Sequence, residues 1–470
     1  MHRNLSKVGL TVLLVAGVLV WAVPVDATAA EKRGEKTKST PERLIIAKNK
    51  NTAHPKDRVD AIRDLGNLND VGEVRDQRVV DALCEIVKDT DDDLFVRMEG
   101  INSLGNLQFN LFQTDGLARN KFTIPLISVM KDDREEELLQ TKVAQVFGRT
   151  LPADDLQAKQ AITAMLDIAK NKNQPMMLRV ACVDAVSEIG SADGFETFGV
   201  ILGQSELDSL VQERVLRGMS VLLGKLGSAD TVRQPSLPTI NRIIDLVFSN
   251  ATPVEIRAVG FVALARMKKS GIIKTLDIQP RLVKIMKESD SAELVIAAVE
   301  AIGILDEAGA TNALVAVYAD FFDTNNPTRD ADVKIRLAVV KTLGDLVNSQ
   351  TTAKDTNAVA VKQIAELYLK IIALGEENQE VASTKDNVIF GLRYFYPKKK
   401  EFKLYHQPIV EALILLLRKD RAAKTLPVAI VDTLTTISRY PGGDDLNRWE
   451  KWYDKAYPNK KLPKEEPDNN

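Results

Sequence analysis

The 470-residue chain holds three histidines, His2, His54 and His406, so imidazole chemistry has few places to sit. His54 stands before Pro55 in a turn and His406 lies far along the chain, opening a helix. That separation gives no support to a shared Ser-His-Asp or Cys-His site. No His- or Cys-rich spacing suits a metal, no glycine-rich loop suits a phosphate, and no Gly-x-Ser-x-Gly elbow occurs. Asp89-Thr90-Asp91-Asp92-Asp93 has the oxygen density of a calcium loop. It lacks the EF-hand glycine at loop position 6 and glutamate at position 12, and helix capping explains its aspartates better. The expected catalytic and metal sets are therefore empty, and no cofactor is expected.

Two segments carry binding chemistry instead. Arg393 to His406 mixes five aromatic with five basic side chains. Arg393, Tyr394, Tyr396, Lys398, Lys399 and Lys400 together suit a phosphorylated, nucleic-acid or anionic glycan ligand. The competing reading is a turn whose aromatics cover the end of the fold while its lysines keep it soluble. The second segment is Asp444 to Tyr457, where two aspartates suit a helix N-terminus. Leu446, Trp449, Tyr453, Ala456 and Tyr457 fall on one face, with Trp452 flanking it. This face either seals the end of the fold or docks a partner through Trp449, Trp452 and Tyr453.

Composition limits the partners. Net charge is −2, from 63 basic and 65 acidic residues spread along the whole length, which gives no general polyanion surface. No nucleic-acid partner is expected. Residues 1–29 read as a signal peptide: Arg3 and Lys7 precede an apolar run from Val8 to Val23, Pro24 breaks it, and Ala27-Thr28-Ala29 suits signal peptidase. The run falls short of the roughly 20 residues of a spanning helix, leaving an uncleaved anchor as the alternative. Cleavage removes Arg3, Lys7 and Asp26, one net positive charge, and takes −2 to −3. Export to a periplasmic or extracellular location follows, with no membrane span after cleavage. Residues 30–40 are charged and polar, a flexible linker. Cys84 and Cys182 lie among helical apolar positions and read as buried free thiols rather than a disulfide.

What positions these residues is a repeat. Val96-Arg97-Met98-Glu99-Gly100-Ile101-Asn102-Ser103-Leu104-Gly105-Asn106-Leu107 has near-copies down the chain, among them Ile335-Arg336 to Leu346. With Arg97 as anchor, equivalent positions are Arg58, Gln140, Arg179, Arg214, Arg257, Val295, Arg336, Ser383 and Val428. Eight residues after the anchor a glycine recurs, as at Gly66, Gly105, Gly148, Gly303, Gly344 and Gly391. An amphipathic stretch such as Val79 to Val87 precedes each anchor, and the turns between are rich in Asp, Asn and Pro, as in Asp330-Ala331-Asp332. A period near 40 with two helices per unit resembles HEAT repeats, as does the local pattern Asn250-Ala251-Thr252-Pro253-Val254-Glu255-Ile256-Arg257. That resemblance implies an all-α fold, a right-handed α-solenoid of about ten helical hairpins over residues 41–440. It also implies that Arg58, Arg97, Arg179, Arg214, Arg257 and Arg336 brace adjacent turns, the alternative being a row of anion-binding arginines. Three connections exceed the norm: Gln108 to Phe122, Thr324 to Arg329, and Asn348 to Asn357. Such insertions mark either a binding edge or looser design.

The capping segment 441–458 resembles the Trp-x-x-Trp tail that follows HEAT repeats in some exported bacterial proteins, and 459–470 reads as a disordered tail. Together these features suit a non-enzymatic exported scaffold for protein–protein contact, because an extended stack offers a long surface built from rigid elements. Two alternatives stand. A fold-level resemblance to HEAT-like bilin lyases implies a tetrapyrrole pocket with convergent carboxylates. Binding of anionic polymers through residues 393–406 implies affinity that falls with salt.

Overall fold

The computed structural model describes residues 39–463 apart from 69–76, 113–119, 153–155, 205–206, 228–236, 274–276, 322–329, 355, 374–381, 397–398 and 420–427. The expected signal segment, the expected linker to residue 38, Lys398 and the expected tail from 464 lie outside the described residues. Helices α1 (Thr40–Lys48) and α2 (Pro55–Gly66) form the first hairpin, followed by α3 (Gln77–Lys88) and α4 (Leu94–Phe112). Next come α5 (Asn120–Lys131) with α6 (Glu137–Thr150), α7 (Leu156–Lys170) with α8 (Met176–Ile189), and α9 (Ala192–Leu202) with α10 (Ser209–Leu226). They are followed by α11 (Leu237–Phe248) with α12 (Val254–Lys269), α13 (Gln279–Glu288) with α14 (Ala292–Leu305), and α15 (Ala310–Asp320) with α16 (Asp330–Thr352). The last hairpins are α17 (Ala358–Ala373) with α18 (Ala382–Leu392) and α19 (Lys400–Lys419) with α20 (Val428–Ser438), before a terminal α21 (Leu446–Ala456).

Every even-numbered helix packs on the next even-numbered one, from α2 to α20, forming one continuous inner layer. The odd-numbered helices form the outer layer, and α21 closes against α19. Among the described residues the chain forms an α-solenoid of ten hairpins and a terminal helix. Burial of one helix stripe against the neighbouring repeat is what drives this arrangement, since no hairpin covers its own apolar face.

The burial pattern sets the repeat register. In α4 the buried positions are Val96, Arg97, Gly100, Ile101, Ser103, Leu104, Gly105 and Leu107; α8 repeats it with Leu178, Arg179, Cys182, Val183, Ala185, Val186, Ser187 and Ile189. In α10 the same spacing runs through Val211, Val215, Leu216, Gly218, Met219, Ser220 and Leu222, which makes Gln212 the anchor and corrects Arg214. In α18 it runs through Thr384, Val388, Ile389, Gly391 and Leu392, which moves the anchor from Ser383 to Lys385. Val428, at 82% exposure, is not a buried anchor either. Polar residues two apart in the first turn leave the register ambiguous until burial distinguishes them.

The corrected register explains the small residues. The position eight beyond each anchor meets the position six beyond the next one: Gly66 against Ser103, Gly148 against Ala185, Ser187 against Gly218, and Gly344 against Gly391. A Cβ on Gly66 would lie 2.6 Å from the Ser103 Cα, and one on Gly148 2.9 Å from the Ala185 Cα. Hydroxyls stitch the same contacts, with Ser103 Oγ donating to the Ile62 carbonyl at 2.8 Å and Thr433 Oγ1 to that of Ile389 at 3.1 Å.

Several boundaries differ from the sequence reading. Thr40 opens α1, and the Ser39 amide donates to Glu42 Oε2 at 2.7 Å, so helix begins inside the expected linker. Asp330 to Asp332 form the first turn of α16 rather than the turn before it, and α16 continues through Asn348 to Thr352, absorbing half of an expected loop. Pro175 and Pro253 are the N-caps of α8 and α12. Of the expected tail, Leu462 packs against the core and the Pro463 carbonyl accepts from Arg418 Nη1 of α19 at 2.6 Å. Cys84 and Cys182 are free; Cys182 is buried, and burial raises the pKa of its thiol, while half-buried Cys84 is pushed up to about 11.

Candidate functional site

The repeat arginines are turned into the stack. Arg58 Nε donates to the Ala47 carbonyl at 3.0 Å, and its two Nη atoms grip the Asp92 carboxylate at 2.6 Å each. Arg97 donates from Nε and Nη2 to the Val87 carbonyl at 3.0 and 2.9 Å, and from Nη2 to Glu135 at 2.7 Å. Arg179 reaches the Ala169 carbonyl at 3.0 Å and Gln204 Oε1 at 3.2 Å, and Arg336, with no exposure, reaches the Phe321 carbonyl at 2.9 Å. Each thus satisfies carbonyls at the end of the preceding outer helix, and two also take a carboxylate from the following repeat. Gln140 and Gln212 make the neutral version, donating to the Asp132 and Leu207 carbonyls at 2.9 and 3.2 Å. Arg257 is buried with no partner on Nε, and burial lowers its pKa. Arg214 stands 3.8 Å from Asp184 at the surface, outside the ladder.

The aspartate run shows the same logic. Asp92 takes Arg58, Asp93 Oδ1 accepts from the Phe95 and Val96 amides at 2.9 and 3.2 Å, and Asp89 takes Lys50 at 2.9 Å. Among the described residues no group of three His, Cys, Asp or Glu side chains converges as a metal set.

The tryptophan segment packs inward. Trp449 is fully buried with Nε1 donating to the Gly443 carbonyl at 2.8 Å, and Tyr453 is fully buried with its hydroxyl donating to Glu411 Oε2 at 2.9 Å. Neither offers surface to a partner. Trp452 is half-buried and stacks on Tyr440 with centroids 5.8 Å apart. Ala456, expected on the apolar face, is exposed because α21 ends there. His406 lies in the second turn of α19 rather than opening it, its Nδ1 on the Tyr457 hydroxyl and its Nε2 2.9 Å from the Ile437 carbonyl.

The aromatic-basic segment forms a cleft. A cavity of about 330 Å³ opens where α16, α18 and α20 end, lined by Asn348, Thr351, Arg393, Tyr394, Tyr396, Lys399, Phe402, Thr436 and Arg439. Its origin lies in the register. Arg393 occupies the position eight beyond Lys385, where earlier inner helices carry Gly, Ser or Ala, and its long side chain reaches the edge of the layer while Thr433 still bonds to the Ile389 carbonyl. The Arg393 guanidinium lies 3.8 Å above the Phe390 ring, donates from Nη2 to Asp432 Oδ2 at 2.7 Å, and leaves a buried Nε without a partner. Arg439 lies over the Tyr396 ring at 4.4 Å. Lys399 is a correction: its ammonium donates to the Gln350 and Ala353 carbonyls and to Thr356 Oγ1, closing the end of α16 rather than facing a ligand. Lys400 is exposed as the first residue of α19, and Lys398 lies outside the described residues.

Arg439 escaped the sequence reading. It sits one repeat beyond Arg393 and holds φ +56°, the left-handed conformation that follows an inner helix. Glycines take that place after α8 and α10, at Gly190 (φ 84°) and Gly227 (φ 75°). A positive φ on an arginine is uncommon and costs about 1–2 kcal/mol. The cleft is cationic, the reverse of the convergent carboxylates a bilin lyase pocket requires.

The fold defines the class: a HEAT-repeat-like helical solenoid. Importin beta shares it at a TM-score of 0.58 and 11% identity, over 84% of this chain and 53% of that one. A Kap121p mutant aligns at a TM-score of 0.49 and 11% identity, over 91% of this chain and 45% of that one. An engineered protein aligns at 0.38 and 15% identity, over 85% of this chain and 98% of that one. The fold assignment rests on the importin beta match, and the chain spans about half the length of the two karyopherins. No family profile matches the sequence, and no curated protein matches it. Among the described residues no helix is long and apolar enough to cross a membrane.

Proposed function

We propose that the protein is a non-enzymatic scaffold, exported through its N-terminal segment, that holds a partner protein at the edge formed by its last repeats. The observation that carries this reading is the cleft: two arginines and two tyrosines gathered just beyond the ends of α18 and α20, beside the end of α16. Arginine and tyrosine dominate the energetic centres of protein interfaces, because both give large contact area with directional polar groups. The two candidate histidines support binding over chemistry, since His54 Nδ1 accepts from the Lys56 amide at 3.2 Å and the His406 ring is held by Tyr457 and Ile437. Charge also suits a protein partner. The basic residues of the cleft are interleaved with Asp432 and helix ends rather than massed into a field that would gather polyanions. The test is capture from the native envelope with tagged mature protein, run beside an Arg393→Glu/Arg439→Glu variant. Discrete chains retained by the first and lost by the second support the reading; identical profiles overturn it. Amino-terminal sequencing of the mature protein after cell fractionation tests export, and a chain beginning at Met1 in the cytosol would remove that part.

A further inference from the structure

We infer that the cleft between the ends of α16, α18 and α20 is a carboxylate site, taking a single acidic side chain flanked by an aromatic or apolar residue in a partner's segment. This rests on the scaffold reading and names what that scaffold grips.

The donors and acceptors decide the ligand's chemistry. Thr351 and Thr436 donate their hydroxyl protons to the Asn348 and Asp432 carbonyls of their own helices, at 2.7 and 2.8 Å. Lys399 is engaged by three oxygens. What remains is the buried Nε of Arg393, the guanidinium of Arg439, the Tyr394 hydroxyl and the Asn348 carboxamide. All four can donate and two belong to charged guanidinium groups, so they call for an anionic acceptor, which an ionised carboxylate is.

Charge decides between a carboxylate and a phosphate or polyanion. Arg393, Lys399 and Arg439 line the cavity, and Asp432 cancels one of them. Three inner helices end at the cleft, each presenting roughly half a negative charge at its C-terminus. These ends offset most of the remaining two positive charges, leaving a field that suits a monoanion and opposes a dianion. The walls are Tyr394, Tyr396 and Phe402, which fit an apolar neighbour beside the carboxylate. About 330 Å³ is at the small end for ligand pockets, room for a side chain or two rather than a folded polymer.

Backbone strain points to the same residue. The chain places Arg439 where the equivalent ends of α8 and α10 carry glycine, which presents its guanidinium over Tyr396 at the mouth of the cleft. Asp306 (φ 50°) holds the same left-handed place after α14, so what sets Arg439 apart is the side chain it displays at the cleft.

The experiment uses the full mature chain and a blocked hexapeptide with one glutamate beside one phenylalanine, followed by saturation-transfer NMR. The glutamate peptide should bind at least about tenfold more tightly than its glutamine counterpart, the discrimination of one charge-assisted pair. Arg439→Gly suits its backbone better, so it should stay folded and lose that preference; Arg393→Gln should lose it as well. Equal binding of the two peptides, or unchanged binding by Arg439→Gly, overturns the inference. Inorganic phosphate or a heparin fragment displacing the peptide at lower concentration than free acetate would assign the cleft to polyanions and overturn it too. Peptide preference absent while envelope partners are still captured sinks the carboxylate site and leaves the scaffold; the reverse pattern sinks the scaffold alone.

Discussion

Replacing Arg58 by methionine tests whether the repeat arginines hold the stack together. Arg58 and Asp92 have side chains 4% and 3% exposed, and their two contacts of 2.6 Å form a bidentate pair across the first two hairpins. Arg58→Met strands a buried carboxylate and frees the Ala47 carbonyl, and breaking such a pair from one side costs about 3–5 kcal/mol. Asp92 keeps the Asp93 amide at 2.8 Å, which places the cost near the lower end, about 3 kcal/mol. That corresponds to roughly a hundredfold loss of protection in the amides of α1 to α4. Hydrogen exchange is the right assay because solenoid repeats open locally, and because Trp449 and Trp452 report only on the far end. Arg58→Met/Asp92→Leu replaces the pair by apolar groups and should recover to within about 1 kcal/mol of the parent. A single variant costing less than about 1 kcal/mol, or a double variant no better than the single, would show that the ladder is not a brace.

Arg439→Gly relieves a left-handed arginine and should stabilise the last repeat by about 1 kcal/mol, read as a later urea midpoint in tryptophan fluorescence. An earlier midpoint would mean that the stacking on Tyr396 outweighs the strain. Gly66→Ala drives a methyl to within 2.6 Å of the Ser103 backbone and should cost about 1–3 kcal/mol in the first two repeats, read by hydrogen exchange there. Burial lowers the pKa of His406, against an opposing raise from its bond to the Ile437 carbonyl. The unfolded ring therefore takes up its proton first, so this part of the stability is present above about pH 6.5 and is lost as pH falls through the lowered folded value. The cap-unfolding midpoint should drop between pH 7.5 and pH 5 in the parent and drop less in His406→Gln, a contrast absent if the ring does not couple to folding.

The architecture was legible in the sequence because each helix repeats one stripe, and ten copies average out local noise. Arg58, Arg97, Arg179 and Arg336 all stand where the register put them. Arg214 did not, because Gln212 two residues earlier fits the same polar slot and only burial separates them. The cleft was half legible. Arg393, Tyr394 and Tyr396 announced themselves by composition, but Lys399 looked like a surface cation until α16 was seen to end beside it. Arg439 carried no composition signal at all, since its place depends on α20 stopping at Ser438 and turning left-handed. Trp449 and Tyr453 left two readings open, a seal for the stack or an anchor for a partner, and their burial takes the first: they fill the stack's own end.

Why the stack tolerates a cleft at its ninth repeat follows from how solenoids are stabilised. Stability is close to a sum over neighbouring repeats, so loosening one interface leaves the others nearly untouched. Arg393 replaces a small residue at the position where earlier inner helices approach closely, and the cavity beside it is confined to the ends of α16, α18 and α20 while Thr433 still bonds to the Ile389 carbonyl. Immediately beyond the cleft, α21 is tied to α19 by Tyr453 to Glu411, Gln407 to Tyr453, His406 to Tyr457 and Arg418 to Glu450. A loosened interface next to a free end would fray. The buried Trp449 and this set of bonds stop it, so the terminal helix does more than cover an apolar face: it holds rigid the rim on which Arg439 is displayed.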